Sequence, residues 1–209
     1  TDKCPFFYFS DLVVGESTCD GKKKMYEFMG EFKDVFIMEL PNSQGEAGLE
    51  LYLGEVMRLK EYVEKKFEVE ITEEKIRETV RVENEIRVAK KALADTMKHD
   101  PAPITGMDMF KVLYGSGFKF DRTKVADEIY GVRDKIEADY AEGKMIDKRP
   151  RIIITGCPIG GITEKVIRAV EDNGGVVVGY ENCVGAKQFD MLVEEDTDDI
   201  WRGLSKRYL

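Results

Sequence analysis

Histidine and tryptophan each occur once in 209 residues, and no two of the four cysteines form a C-x-x-C pair. Without such pairs, structural zinc and thioredoxin-like redox chemistry both lose support. With a single imidazole, no Ser-His-Asp or Cys-His set can be assembled. His99, in Lys98-His99-Asp100-Pro101 at a helix end, is expected as a C-terminal cap rather than a ligand or base. Positive charge is also short: 32 Lys and Arg stand against 41 Asp and Glu, a net charge of -9. A nucleic-acid duplex would repel such a surface, so no nucleic-acid partner is expected. No apolar run approaches the roughly 20 residues needed to span a bilayer, and Thr1-Asp2-Lys3-Cys4 lacks the apolar core of a signal peptide. The expectation is a cytoplasmic protein, off the membrane, with reduced thiols and no disulfide framework.

What is present alternates between two grammars. Residues 1–45 and 149–209 read as α/β, and residues 46–148 as a charged helical connector. In the first block, Leu12 to Ser17 is apolar and β-branched enough for a buried strand. A helix from about Gly21 to Phe32 puts Met25, Phe28, Met29 and Phe32 on one face, and Val35 to Leu40 closes a βαβ unit. In the connector, Thr72 is the expected N-cap of a helix whose apolar face runs Val82, Ile86, Ala89, Leu93, Met97 until Pro101. Met107 to Tyr114 reads as a short helix, and a longer one from Asp121 is expected to bury Val125, Ile129, Val132, Ile136 and Tyr140. The last block offers a strand at Arg151 to Thr155 and a helix from Thr163 to about Asn173 with Gly174 at C′. A strand at Val176 to Tyr180 and a final helix from about Thr197 follow. Each α/β block holds only about two strands, fewer than a parallel sheet covered on both faces needs. The chain therefore reads as the middle of a longer protein: two incomplete parallel-sheet lobes joined by a helical segment.

Three of the cysteines follow directly on strand-like runs: Cys19, Cys157 and Cys183. In an open parallel sheet, ligands collect at the carboxyl ends of the strands. After Cys19, Lys22-Lys23-Lys24 fall in the first turn of a helix, where the macrodipole is already positive. Either they are a solvated lysine run, or something anionic should offset them: a thiolate-ligated iron–sulfur cluster, a phosphate, or an acidic partner surface. Gly156-Cys157-Pro158-Ile159-Gly160-Gly161 lets backbone N–H groups face a phosphate or a sulfide. It is neither a Walker loop nor a G-x-G-x-x-G fingerprint, and Cys157 at its centre fits a cluster ligand better than a nucleotide site. In Asn182-Cys183-Val184-Gly185, glycine near cysteine again permits close backbone approach. Cys4-Pro5 precedes Phe6-Phe7-Tyr8-Phe9, which would shield a cluster or pack as core. Glu16 and Glu181, near the strand ends, are the acid/base candidates, with no catalytic residue assigned.

At these residues the chain resembles a known family. Cys4-Pro5-Phe6-Phe7-Tyr8-Phe9, the run Gly15-Glu16-Ser17-Thr18-Cys19-Asp20-Gly21-Lys22-Lys23-Lys24-Met25, Thr155-Gly156-Cys157-Pro158-Ile159-Gly160-Gly161 and Gly179-Tyr180-Glu181-Asn182-Cys183 are similar to the 2-hydroxyacyl-CoA dehydratase D-component and benzoyl-CoA reductase family. Within it they look most like the double-cubane cluster proteins. The resemblance implies two flavodoxin-like lobes holding oxygen-sensitive iron–sulfur clusters in the cleft between them. It also implies an ATP-hydrolysing iron–sulfur activator that injects a low-potential electron. Dehydratase members use that electron to form a ketyl radical from a 2-hydroxyacyl-CoA and expel its hydroxyl; double-cubane members reduce small molecules. By residue-wise carry-over, Cys4, Cys19, Cys157 and Cys183 match the family's cluster ligands, for either a 4Fe-4S or a double-cubane 8Fe-9S cluster. The resemblance further implies dimers, homomeric in the double-cubane branch and heteromeric in dehydratases. Family chains begin before Thr1, continue beyond Leu209 and carry further ligand cysteines there, so this stretch alone is expected to hold no complete cluster and to be inactive. The competing reading is a redox-silent α/β module that binds a phosphate or CoA group through the Cys157 loop.

Overall fold

A computed structural model describes residues 4, 8–156, 163–182 and 185–209. The chain divides into two units, Thr1–Arg77 with Val193–Leu209, and Glu78–Leu192.

In the first unit, β1 (Val13–Glu16) and β2 (Val35–Met38) form a parallel pair running in register from Val13↔Val35 to Glu16↔Met38. Their crossover is α1 (Asp20–Met29). The apolar face read from the sequence exists but is not covered: α1 has no buried residue, and Met25, Phe28 and Phe32 are exposed. Tyr26 makes the contact instead. Its ring lies across β1 at Gly15, where a Cβ would sit 2.6 Å from the ring, so a side chain there would have to displace Tyr26. On β2, Phe36 and Met38 pack with Tyr52 of α2 (Glu46–Phe67), with Val56, Leu59 and Tyr62 from later turns closing round them. Burial pushes the Tyr52 hydroxyl up to about 12, with Glu16 adding to the effect. The C-terminal helix α7 (Ile200–Tyr208) is capped by Asp199, whose carboxylate accepts from the Arg202 N–H at 2.9 Å. The Arg202 guanidinium in turn bridges Glu46 and Glu50 of α2.

In the second unit, β3 (Arg151–Thr155) and β4 (Val176–Glu181) are again parallel, with a register irregularity between Ile152 and Ile153. Their crossover is α6 (Thr163–Asp172), which ends at Gly174 with φ +88°, the left-handed conformation anticipated for its C′ position. Three helices supply the rest of the core: α3 (Glu73–Asp95), whose first turns belong to the other unit, α4 (Gly106–Gly115) and α5 (Val125–Ala141). Ile86, Ala89 and Leu93 are buried on α3 at the expected spacing, and Val125, Ile129 and Ile136 on α5. Thr72 caps α3 as anticipated, accepting from Lys75 N–H at 3.3 Å. The helix stops at Asp95, short of Pro101, because Thr96–Lys98 tightens into a 3₁₀ turn and the Thr96 hydroxyl donates to the Leu93 carbonyl. His99 does not act as a side-chain cap: its Nε2 lies 2.9 Å from Glu137 and its ring stacks on Tyr140 at 4.2 Å.

The start of α4 is tied to the sheet. Glu171 accepts from the N–H groups of Gly106 (2.6 Å) and Val177 (3.3 Å), and the Tyr180 hydroxyl donates to the Gly106 carbonyl at 2.6 Å. Gly106 lies so close to the Val177 carbonyl that any side chain there would clash. Burial, followed by Glu171, raises the Tyr180 hydroxyl pKa far above its ordinary value.

Candidate functional site

Of the four cysteines, the described residues include Cys4 and Cys19, neither of them within a helix or strand. The chain leaves β1 through Ser17, whose N–H donates to Met38 O at 3.0 Å and whose hydroxyl accepts from Leu40 N–H at 2.8 Å. Cys19 then serves as the N-cap of α1 in extended conformation (φ -157°, ψ 163°). Its carbonyl accepts from Lys23 N–H, while its side chain makes no capping bond. The thiol is exposed. Cysteine is a poor cap beside Ser, Thr, Asp or Asn, so the residue type at this position is not explained by helix stability. Behind it, Lys22 and Lys24 lie over Tyr26 and Phe28 at 6.0 and 4.9 Å, Lys24 pairs with Glu27 at 2.6 Å, and Asp20 is the acidic residue in the first turn. Cys4 is exposed as well, and Tyr8 and Phe9 stack edge-on at 4.9 Å while remaining 62% and 78% exposed, so this part of the aromatic run is not core.

Cys157 and Cys183 lie outside the described residues; their flanks do not. Gly156, the last residue before Cys157, has φ +118°, which L side chains rarely adopt. Thr163, which opens α6, is fully buried and its hydroxyl has no partner among the described residues. On either side of Cys183-Val184, Gly185 N–H donates to both the backbone and side-chain oxygens of Asn182 at 3.1 Å. A Cβ at Gly185 would run into the Tyr180 carbonyl. Glycine near each cysteine therefore has a geometric cause. Glu181, at the end of β4, accepts from the Thr155 hydroxyl and pairs with Lys187 at 3.3 Å, and these two partners hold its carboxyl below the usual range. It is an ionised acceptor at neutral pH and a poor proton donor. Among the described residues, no three His, Cys, Asp or Glu side chains gather as a metal site.

Two features of the second unit escaped the sequence reading. One is a cavity of about 520 Å³ over Ile153 and Gly179, lined also by Met109 and Phe189. Its cations are engaged: Lys91 and Lys98 both hold Asp95 at 2.9 Å, and the Arg151 guanidinium donates to the Met97 and His99 carbonyls. The other is a buried polar stripe on α3, where Asn84, Arg87 and Lys90 are 3%, 8% and 4% exposed. Their spacing of three was visible in the sequence, but charge on a helix reads as a solvated face until burial is known.

Over residues 1–209 the chain matches the family described as 2-hydroxyglutaryl-CoA dehydratase, D-component. The chain belongs to this family. It is also 49% identical over 210 residues to the protein named "Putative dehydratase subunit YjiM" of Escherichia coli (strain K12). That match takes in 100% of this chain and 55% of the relative, so the chain spans about half the length of the curated relative it matches. The chain thus belongs to a dehydratase-component family and carries two small parallel sheets with helices, consistent with α/β; no helix among the described residues is long and apolar enough to cross a membrane. Of the expected iron–sulfur ligands, Cys4 and Cys19 present exposed thiols, a donor type that suits such a group. The Cys19 thiol is uncommitted, the chain beside Cys157 and Cys183 is shaped by glycine, and cationic side chains stand near both strand ends.

Proposed function

We propose that Cys4, Cys19, Cys157 and Cys183 ligate an iron–sulfur cluster, 4Fe-4S or double-cubane, in a 2-hydroxyacyl-CoA dehydratase-type enzyme. The observation that carries this is Cys19: an exposed thiol in an N-cap position it does not cap, followed by three lysines on a positive helix end, in a chain of the D-component family. When bound, the cluster supplies a low-potential electron for reductive dehydration of a 2-hydroxyacyl-CoA or, as in double-cubane proteins, reduction of a small molecule. The chain's own residues supply thiolates at strand ends, glycine turns that let backbone approach the group, and positive charge that favours it. The ATP-hydrolysing activator, a second dehydratase-like subunit and completion of both flavodoxin-like lobes belong to the same proposal.

The competing reading, a redox-silent module for phosphate or CoA, has the cavity in its favour, but the cations at that cavity already have partners. Anaerobic reconstitution of the full-length protein with iron and sulfide separates the two. Brown colour with iron near four or more per chain supports the cluster; a colourless protein that binds CoA supports the alternative. Cys19→Ser is expected to lower iron content sharply, and unchanged iron in that variant removes Cys19 from the ligand set.

A further inference from the structure

From the end of α4 the chain carries aromatic side chains outward. Phe110 is buried, Tyr114 stacks on it at 5.3 Å, and Phe118 meets Tyr114 edge-on at 5.0 Å with half of its surface in water. Phe120, two residues further on, is 98% exposed. A single apolar side chain in solvent is ordinary, whereas a run of aromatics leading from the core onto one patch marks an interaction surface. The loop that carries them is tied down. The Arg122 guanidinium donates to Ser116 O at 2.9 Å and pairs with Glu83 at 2.7 Å, Lys119 holds Glu128 at 3.1 Å, and Asp121 holds Lys124 at 3.0 Å. Phe120 is thus held out between two anchored neighbours, which lowers the ordering cost of any contact it makes.

The same loop borders a cavity of about 320 Å³ between α4 and α5, lined by Val112, Val125, Ile129 and Val132 and by the Lys119 and Glu128 pair. A dry apolar cavity of about 150 Å³ already takes a benzene ring, so this one has room for a phenylalanine side chain. The chain's own Phe120 does not fill it, because that ring is in water. Lys119 lines the recess and Phe120 is the next residue, so projection and recess stand side by side. Such a surface is complementary to itself: a two-fold axis next to it sets the ring of each copy into the recess of the other. Charge agrees with this. Residues 106–132 hold four Asp or Glu and four Lys or Arg, a net charge of zero in a chain of net charge -9. Two copies that repel each other through the chain's overall charge meet no such repulsion here.

We propose that Phe120 and the recess between α4 and α5 form a contact with a second copy of this chain, the Phe120 of each copy entering the recess of the other. None of these residues is a proposed cluster ligand, so the contact stands independently of the cluster.

The test is sedimentation velocity of the full-length protein over a concentration series, with thermal unfolding and iron content measured on the same samples. The wild type is expected to dimerise. Phe120→Ser, a change at an exposed position, is expected to keep its unfolding temperature and to raise the dimer dissociation constant about a thousandfold, about thirtyfold for each ring withdrawn. Val132→Trp, which fills the recess, is expected to weaken the dimer in the same way. A Phe120→Ser copy still offers an open recess and a Val132→Trp copy an intact ring. Mixed together they regain one of the two contacts and should associate about thirtyfold more tightly than either variant with itself. A wild type that sediments as a monomer, or that pairs only with a different chain, overturns the inference. An unchanged dissociation constant in Phe120→Ser, or two weakened variants that gain nothing on mixing, overturns it as well. If Val132→Trp does not fold, the Phe120→Ser result decides alone. A wild-type dimer that takes up no iron overturns the proposed function and leaves this contact standing; an iron-loaded dimer indifferent to Phe120→Ser does the reverse.

Discussion

Burial of the Lys90 ammonium should cost the fold stability, and the cost has a pH signature. Burial first, then Arg122, holds its pKa down to about 8 against the ordinary 10.5, a gap equivalent to about 3 kcal/mol. Below pH 8 both folded and unfolded chains carry the proton, and the folded state bears the whole penalty. Between about 8 and 10.5 the folded state releases the proton while the unfolded chain retains it, so stability rises with pH; above 10.5 both are neutral and the penalty is gone. Lys90→Met keeps most of the volume and removes the charge, while losing the bond to Gln188, worth about 1 kcal/mol. It should stabilise the chain by about 2 kcal/mol at pH 7. The gain should shrink above pH 8 and turn into a small loss near pH 10.5. Urea unfolding of both proteins at a series of pH values measures this directly. A Lys90→Met variant that is destabilised at pH 7, by an amount independent of pH, would show that Lys90 already has a full counter-charge within the chain and would refute the reasoning.

Glu171→Gln should destabilise by about 1–3 kcal/mol, because the carboxylate that accepts from Gly106 and Val177 loses its charge; thermal unfolding reads it, and an unchanged midpoint would mean that Tyr180 and the Thr105 cap suffice to hold the start of α4. Gly185→Ala should cost about 1–3 kcal/mol, since the new Cβ meets the Tyr180 carbonyl, and should lower iron uptake in the full-length protein; normal stability would show that the loop relaxes freely. Gly156→Ala should cost about 1–3 kcal/mol from its φ of +118°, measured in the same way.

Much of the framework was legible because local rules and tertiary structure agree. Arg151–Thr155 is a strand because β-branched residues run unbroken to a glycine, and α6 ends at Gly174 because only that residue accepts φ +88° at no steric cost. Periodicity was less informative about destination. It placed Met25, Phe28, Met29 and Phe32 on one face of a helix running to Phe32, yet the helix ends at Met29 and none of them is buried, while Tyr26, off that pattern, makes the sheet contact through Gly15. The extent of α3 was overread because a stop at Pro101 is a local signal, whereas the 3₁₀ turn at Thr96 depends on a side chain bonding back to Leu93.

The sequence by itself determined the parallel βαβ order, the helical connector and the cysteines that follow strand runs, since these depend on alternation, branching and glycine within a few residues of each other. Only tertiary structure decided that Lys90 and Arg87 face inward, that Glu171 anchors α4, and that His99 pairs with Glu137. Burial is set by elements distant in the chain, and it is burial that turns an ordinary lysine on a charged helix into one whose charge is costly.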